Sequence, residues 1–579
     1  MSNWEPVCKV NEFVDKLQQF SVSETKILLS KGSDGKFYAT SHLCTHYKAP
    51  LAKAAFMEDR IVCQWHGACF NIKDGNIEDG PALDSLKSYP VKEENGTIYV
   101  DISKESQRLP KKVKSLTDKV VVIVGFGPTS LVAAEQLRKQ DFKGRIKVIA
   151  PDLPIDTPKL SKVGTSLPDR VKLQLRDEQH FKDLSIEWIK SKAASVDQSV
   201  KAVVLENNMA VDFDFLILAT GSYARELPFL KGFSNSFTLR TYECASKISQ
   251  SLSNGKEVKN IVICGSSFIG LECAAAFSNT KHKITVVGME SAPLEVVLGK
   301  EVGQAVQLLH EKNGIQFQLE DTIERVDSSN NEITAVHLKS GKSMPCDIIV
   351  AGIGAIPNTL YLEKHAKFQI NGNKSLNTNE FLQVSGFENV FAGGDIATYP
   401  ANGQPTRIEH WNVAQNHGRV IANNIVLKLN KQALQPFKHI PYFWTVQFGK
   451  SIRYCGRARP VKVIVQGNIK QVLEKTTDVG DLKFRAYYAD ENGQVGAVAS
   501  LMWDPTVSHA SELFRNGKMP NLDILGKSEI LDLPPRGTHR FNLVLGVNGV
   551  PNSRSWIKLA TAVVGIAISV GWYLNEKNK

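Results

Sequence analysis

Twice along this chain an unbroken apolar strand runs into a glycine turn and out into a helix. KVVVIVGFG leads into SLVAAEQLRKQ and a second strand, RIKVIAP; about 140 residues later NIVICGSSFIGLECAAAF leads into KITVVGME. Such a unit buries its strand on both faces, so two of them predict two doubly wound parallel sheets rather than one compact fold. The first turn, Gly125-Phe126-Gly127-Pro128-Thr129-Ser130, has the context of a dinucleotide fingerprint. Gly125 permits the tight turn, and Gly127 lets backbone approach a pyrophosphate at the helix N-terminus. Ser130 replaces the third glycine, where the demand is close helix–strand packing. Asp152, just past the second strand, is the candidate ribose acid. The second turn, Gly265-Ser266-Ser267-Phe268-Ile269-Gly270, departs at Ser267, where close backbone approach is needed. Gly288 stands where a ribose-binding acid is often found, and Glu290 is the substitute. No Arg or Lys lies between Gly288 and Leu294 to clamp a 2′-phosphate, which favours NADH over NADPH.

Upstream, Cys44-Thr45-His46 and Cys63-Gln64-Trp65-His66 are separated by sixteen residues. Two thiolates and two imidazoles in close pairs let two loops clamp one centre, and zinc or iron–sulfur would both accept them. The pattern resembles Rieske ferredoxins, in which each loop gives one Cys and one His to a 2Fe-2S cluster. Asp79-Gly80-Pro81-Ala82 is similar to that family's proline loop. Only Cys69 is available as an extra loop cysteine, so the resemblance is to the type without a disulfide, in keeping with a reducing compartment.

Ala219-Thr220-Gly221 and Ala392-Gly393-Gly394-Asp395 resemble the later flavin motifs of FAD-dependent pyridine nucleotide oxidoreductases. That resemblance implies FAD held by Gly125, Gly127, Ser130, Asp152, Thr220, Gly221, Gly394 and Asp395. It implies nicotinamide nucleotide on Gly265, Ser267, Gly270 and Glu290. PKLSK, ending at Lys162, together with Ile408-Glu409-His410-Trp411, is similar to the apoptosis-inducing factors and to reductases of Rieske oxygenase systems. There the matching lysine lies against the flavin and pairs with the matching glutamate, which implies that Lys162 pairs with Glu272 and favours reduced flavin, with a purely structural ion pair as the alternative. Trp411 is expected beside the flavin or nicotinamide, or in the core, with Glu409 and His410 at the cofactor. The order of motifs over residues 40–545 resembles the apoptosis-inducing factor 3-like family.

The expected architecture is an all-β Rieske domain (1–105), a linker (106–118), an FAD domain in two parts (119–245 and 376–434) and an NAD(P) domain (246–375). An α+β reductase C-terminal domain (435–544), a connector (545–555) and a transmembrane tail anchor (556–574) complete it. The tail rests on LATAVVGIAISVGWYL, sixteen uncharged residues between basic flanks, about 24 Å of helix lengthened by Trp556 and a snorkelling Lys558. Its flanks suggest the mitochondrial outer membrane, with the endoplasmic reticulum as alternative and the body cytosolic. The net charge of +11 sits largely at 104–119, with six basic and two acidic residues, and at 551–579, with four and one. Nucleic acid is therefore not an expected partner. The partners expected are NAD(P)H, an unidentified one-electron acceptor and the membrane, with a homodimer left open. No CxxC follows the first fingerprint, which disfavours dithiol chemistry. The function expected is NAD(P)H oxidation through FAD to the chain's own cluster; the alternative is a redox-gated cell-death or signalling protein with slow turnover.

Overall fold

A computed structural model describes residues 3–527 apart from 107–111, 114–115, 163, 256, 364–367 and 402. The N-terminal domain is antiparallel throughout. One sheet orders Leu17–Val22, Thr25–Lys31, Phe37–Ser41 and Ser88–Tyr89; another orders Ala55–Met57, Arg60–Val62, Cys69–Asn71 and Ile77–Asp79. Residues 63–68 are thus the turn joining two strands of the second sheet, while Cys44 and His46 lie on the path from the first sheet to the second.

The two parallel sheets have one plan. In the first, Val120–Val124 lies between Arg145–Ile149 and Phe215–Leu218, with Ile186–Ile189 and Val390–Ala392 at the edges. In the second, Asn260–Cys264 lies between Lys283–Val287 and Ile348–Ala351, with Ile315–Gln318 and Ser236–Thr238 at the edges. The second sheet therefore begins ten residues before the expected boundary at 246, because a three-residue strand acquires its identity from pairing with Ile348–Ala351 and not from any local pattern. Helix α1 (Pro128–Lys139) follows the first glycine turn and α2 (Phe268–Phe277) the second. Helix α3 (Trp411–Leu429) crosses α1 where Gly418 has no side chain; a Cβ there would lie 2.2 Å from the Thr129 carbonyl.

The C-terminal domain is a five-stranded antiparallel sheet, Tyr442–Gln447, Lys450–Gly456, Val495–Leu501, Phe484–Ala489 and Lys462–Gly467, with α4 (Thr506–Arg515) packed on it. The expected tail segment lies outside the described residues. Among those described, no helix is long and apolar enough to cross a membrane.

Candidate functional site

The two ligand loops are one turn built twice. Cys44 N–H donates to the Ala49 carbonyl and Lys48 N–H to the Cys44 carbonyl; Cys63 N–H donates to Ala68 and Gly67 N–H to Cys63, all at 2.8–3.0 Å. The fifth residue is left-handed in both, Lys48 at φ 59° and Gly67 at φ 75°. Lys48 is exposed and has room for its side chain. Gly67 has none, since its Cβ would sit 2.6 Å from the Tyr442 ring.

This geometry divides the donors two and two. The Cys44 and Cys63 thiols hydrogen-bond each other, which pushes Cys44 up and Cys63 down as the pair shares a proton. His46 and His66 meet at Nδ1, 3.0 Å apart. Burial is the main reason that both imidazoles stay neutral, His46 lowered to about 4 and His66 to about 2; in His66 the neighbouring His46 and Arg453 add to it. Neutral imidazoles and a thiol inclined to ionise are the ligand forms a metal needs. A tetrahedral zinc draws four donors to one point, and no such group of three or more occurs among the described residues. Separate thiol and imidazole pairs fit a 2Fe-2S cluster with two Cys on one iron and two His on the other.

Every loop around this site is held by the rest of the chain. Tyr47 stacks on His46 with centroids 3.9 Å apart, and its hydroxyl donates to Asp156 at 2.8 Å. Ser508 Oγ donates to the Cys63 carbonyl at 3.0 Å, and Arg453 Nε to the Trp65 carbonyl at 2.8 Å. The proline loop is read by α3: Gly80 N–H donates to Asn416 at 3.0 Å, while Asn412 donates to the Gly80 carbonyl at 2.6 Å and Gln415 to the Pro81 carbonyl at 3.2 Å. Asp79 accepts from Arg60 and lies 3.1 Å from His439; these partners outweigh the burial that opposes them and hold its carboxyl below the usual range.

The flavin motifs, far apart in sequence, meet at the N-terminus of α1. Gly125 (φ 97°) is pressed onto the Ala219 carbonyl, 2.3 Å from where a Cβ would be, so the turn abuts Thr220, with Gly221 (φ 67°) next in the chain. Gly127 caps α1 with open space at its Cβ position, the gap a pyrophosphate needs. Ser130 is fully buried and its hydroxyl has no partner, as befits a small residue doing a glycine's packing. Gly394 (φ 74°) donates its N–H to His417 Nδ1 at 3.0 Å, and Asp395 accepts from Ser222 at 2.7 Å and Arg240 at 2.5 Å. Asp152 is turned to Arg170, 2.8 Å away.

In the second fingerprint Gly265 (φ 113°) and Gly270 are both pressed against backbone, with Cβ positions 2.5 Å from the Gly352 carbonyl and 2.0 Å from the Gly265 carbonyl. Ser267 caps α2 at the surface, so its side chain is tolerated by pointing outwards. Glu290 accepts from Ser266 Oγ at 2.9 Å, which places the substitute acid at the glycine turn.

The expected Lys162–Glu272 ion pair is not formed. The Glu272 carboxylate is buried and already occupied by two hydroxyls, Ser161 and Thr445, the latter at 2.6 Å, while Lys162 is exposed. Glu409 pairs with Arg407, and His410 caps α3. Trp411, at the first position of α3, is half-buried, but the tryptophan that lies against both histidines beside Tyr47 is Trp444: 4.3 Å from His66, 5.9 Å from His46 and 5.7 Å from His410 between centroids. Phe443 next to it reaches His410 at 5.5 Å and Phe268, the first residue of α2, at 4.9 Å. Trp444 has no sequence signal beyond its place just before the apolar run TVQFG.

Residues 3–90 match the Rieske 2Fe-2S domain, and residues 119–418 match the pyridine nucleotide-disulphide oxidoreductase family. Apoptosis-inducing factor 3 of Homo sapiens is 34% identical over 532 residues, 88% of this chain and 84% of that protein. The chain belongs to the apoptosis-inducing factor 3 family. Rhodocoxin reductase of Rhodococcus erythropolis is 29% identical over 58% of this chain and 78% of its own length. The reductase in the covalent putidaredoxin reductase–putidaredoxin complex shares the fold, with a TM-score of 0.64 and 25% identity over 72% of this chain and 97% of that one. Members with this pair of domains use FAD, NAD(P)H and a 2Fe-2S cluster, and this chain is an FAD-dependent NAD(P)H oxidoreductase with a Rieske centre. Gly125, Gly127, Thr220, Gly221, Gly394 and Asp395 are the residues that would hold FAD, which would supply conversion between two-electron and one-electron chemistry. The protein's own work there is to offer backbone N–H groups, fix the Asp395 carboxylate through Ser222 and Arg240, and keep both imidazoles neutral by burying them.

Proposed function

We propose that this chain carries electrons from NAD(P)H, through FAD, to its own Rieske centre and on to a separate one-electron acceptor. The observation that carries this proposal is Trp444, which contacts both candidate histidine ligands and also His410, at the start of α3. The putidaredoxin reductase complex supports it, as a reductase of the same fold caught with putidaredoxin; here the iron–sulfur domain is covalently part of the chain, which raises its effective concentration. Glu290 beside the second glycine turn favours NADH, since a carboxylate accepts from a ribose hydroxyl and repels a 2′-phosphate. Lys162, Glu272 and Trp411 are assigned to the flavin–nicotinamide region, with Glu272 acting through Ser161 and Thr445. We further assign the apolar segment at 559–574 to a membrane tether, in the mitochondrial outer membrane.

Anaerobic titration of the purified holoprotein with NADH tests the chain of transfer. Flavin bleaching should be followed by a rhombic Rieske electron paramagnetic resonance signal; bleaching with a cluster that is reducible by dithionite but never by NADH overturns it. Trp444→Leu should slow cluster reduction while leaving flavin reduction unchanged. Resistance of the full chain to carbonate extraction from membranes, lost on deleting residues 556–579, tests the tether.

A further inference from the structure

One cation is buried against the Rieske ligands and is contributed by a different domain. Arg453, on Lys450–Gly456 of the C-terminal domain, has a side chain only 6% exposed. Its Nε donates to the carbonyl of Trp65, the residue between Gln64 and His66 in the second ligand loop, at 2.8 Å. The remaining face of the guanidinium meets Asp504 Oδ1 at 2.8 Å from Nη1, off the line of the N–H bonds, so this contact is an electrostatic pairing rather than a hydrogen bond. Asp504 is 30% exposed, and burial pushes its carboxyl up against the pull of Arg453. The cation is therefore better shielded from water than its counter-charge. An arginine keeps its charge at any physiological pH, and a fixed charge in a water-poor interface acts on its neighbours far more strongly than one in solvent.

Resting on the assignment of Cys44, His46, Cys63 and His66 to a 2Fe-2S cluster, we propose that Arg453 sets the reduction potential of that cluster from the neighbouring domain and that Asp504 opposes it. Reduction adds one electron to the cluster and one negative charge to the site, with no proton or leaving group required. A cation beside the Trp65 carbonyl stabilises that added charge and raises the potential; the Asp504 carboxylate lowers it. The C-terminal domain then does more than pack: it makes the cluster a better acceptor for electrons from the flavin, and only while the domains are docked.

The test is redox titration of the full-length holoprotein against dithionite with mediators, read by the Rieske electron paramagnetic resonance signal, so that no flavin step enters. At a fixed ambient potential, Arg453→Gln should lower the reduced-to-oxidised ratio about tenfold, a downward shift of ~59 mV for one electron. Arg453→Lys should stay near wild type, and Asp504→Asn should shift in the opposite direction. A residue that merely holds the loop predicts no such pair of opposite signs. Shifts of the same sign, or none in either variant with an unchanged spectrum, overturn the proposal. If Arg453→Gln fails to assemble a cluster, Asp504→Asn decides alone: an upward shift sustains the proposal and any other result ends it. A wild-type protein with no Rieske signal would instead remove the cluster assignment itself, before any variant is compared.

Discussion

Gly67→Ala is the sharpest perturbation of the seam between the iron–sulfur domain and the reductase body. The added Cβ would lie 2.6, 2.8 and 2.9 Å from three atoms of the Tyr442 ring, distances no folded protein tolerates. The ring has little freedom to retreat: it is 2% exposed and its hydroxyl meets Ser508 at 3.2 Å, which in turn holds the Cys63 carbonyl. Two costs add. An L residue at φ 75° costs about 1–2 kcal/mol, and forced overpacking typically costs about 1–3 kcal/mol. The sum, about 2–5 kcal/mol, falls on the loop that carries Cys63 and His66. The two parts separate in a double-mutant cycle with Tyr442→Ala, because removing the ring relieves the clash and leaves the backbone strain. The coupling should therefore be favourable by about 1–3 kcal/mol. Urea unfolding followed by the cluster's visible absorption measures the local transition, and NADH-driven cluster reduction measures the functional loss. Additivity of the two substitutions to within ~0.5 kcal/mol, or a Gly67→Ala protein that behaves as wild type, would show that Tyr442 does not confine this loop.

A second seam depends on Arg176, which spans Glu135 at 2.8 Å in the body and Asp84 at 2.7 Å beside the proline loop. Burial raises the Glu135 carboxyl, but His180 and Arg176 together prevail and hold it low, so Arg176→Met should destabilise by about 3–5 kcal/mol in thermal unfolding; a further Glu135→Gln should recover much of that by removing the stranded charge. His417 predicts a pH dependence. Burial lowers it to about 3, while the unfolded chain binds a proton below ~6.5, so stability is complete above ~6.5 and falls as pH drops from there towards 3. Between pH 7 and 5 the loss should be about 2 kcal/mol. In His417→Gln, whose amide oxygen can still accept from Gly394 N–H, that slope should flatten, and an unchanged slope would assign the titration elsewhere. Glu272→Gln, with one hydroxyl partner forced to change role, should alter flavin reduction by NADH in stopped-flow without moving the cluster's spectrum.

What was legible in the sequence was whatever chemistry is local. The Cys and His pairs sit two and three residues apart, so one turn places both, and the structure builds that turn twice from the same backbone bonds. Glycine turns are local in the same sense, since Gly125 and Gly265 need positive φ whatever surrounds them. Choices made by distant partners were not legible. Glu272 is claimed by Thr445, 173 residues away, before any lysine reaches it, and nothing near either residue announces this. Trp444 matters because its strand runs past His66 and His410, which is a property of how three domains dock. Ser236–Thr238 becomes a strand only through its partner Ile348–Ala351.

The docking itself has a chemical logic. Side-chain pairs such as Arg60 with Glu512, Tyr47 with Asp156 and Asp84 with Arg176 cross the seam, and beside them run directional hydrogen bonds to the backbone of the ligand and proline loops: Ser508 to Cys63, Arg453 to Trp65, Asn412 and Asn416 to Gly80, Gln415 to Pro81. An apolar seam of equal area would bind as well but tolerate sliding, whereas buried donors and acceptors are penalised when they miss their partners by even an ångström. Position, rather than affinity, is what these bonds secure. Electron transfer within one chain needs a fixed cluster more than a tightly held one, because the linker already supplies the association. The side chains that do the fixing come from α3, whose first turn follows His410, from the strand pair that carries Trp444 and Arg453, and from α4, which carries Ser508. The elements that position the cluster are thus the same elements that contact its histidines and its nearest buried charge, so a substitution in the body that shifts docking should be read first at the iron and only second in stability.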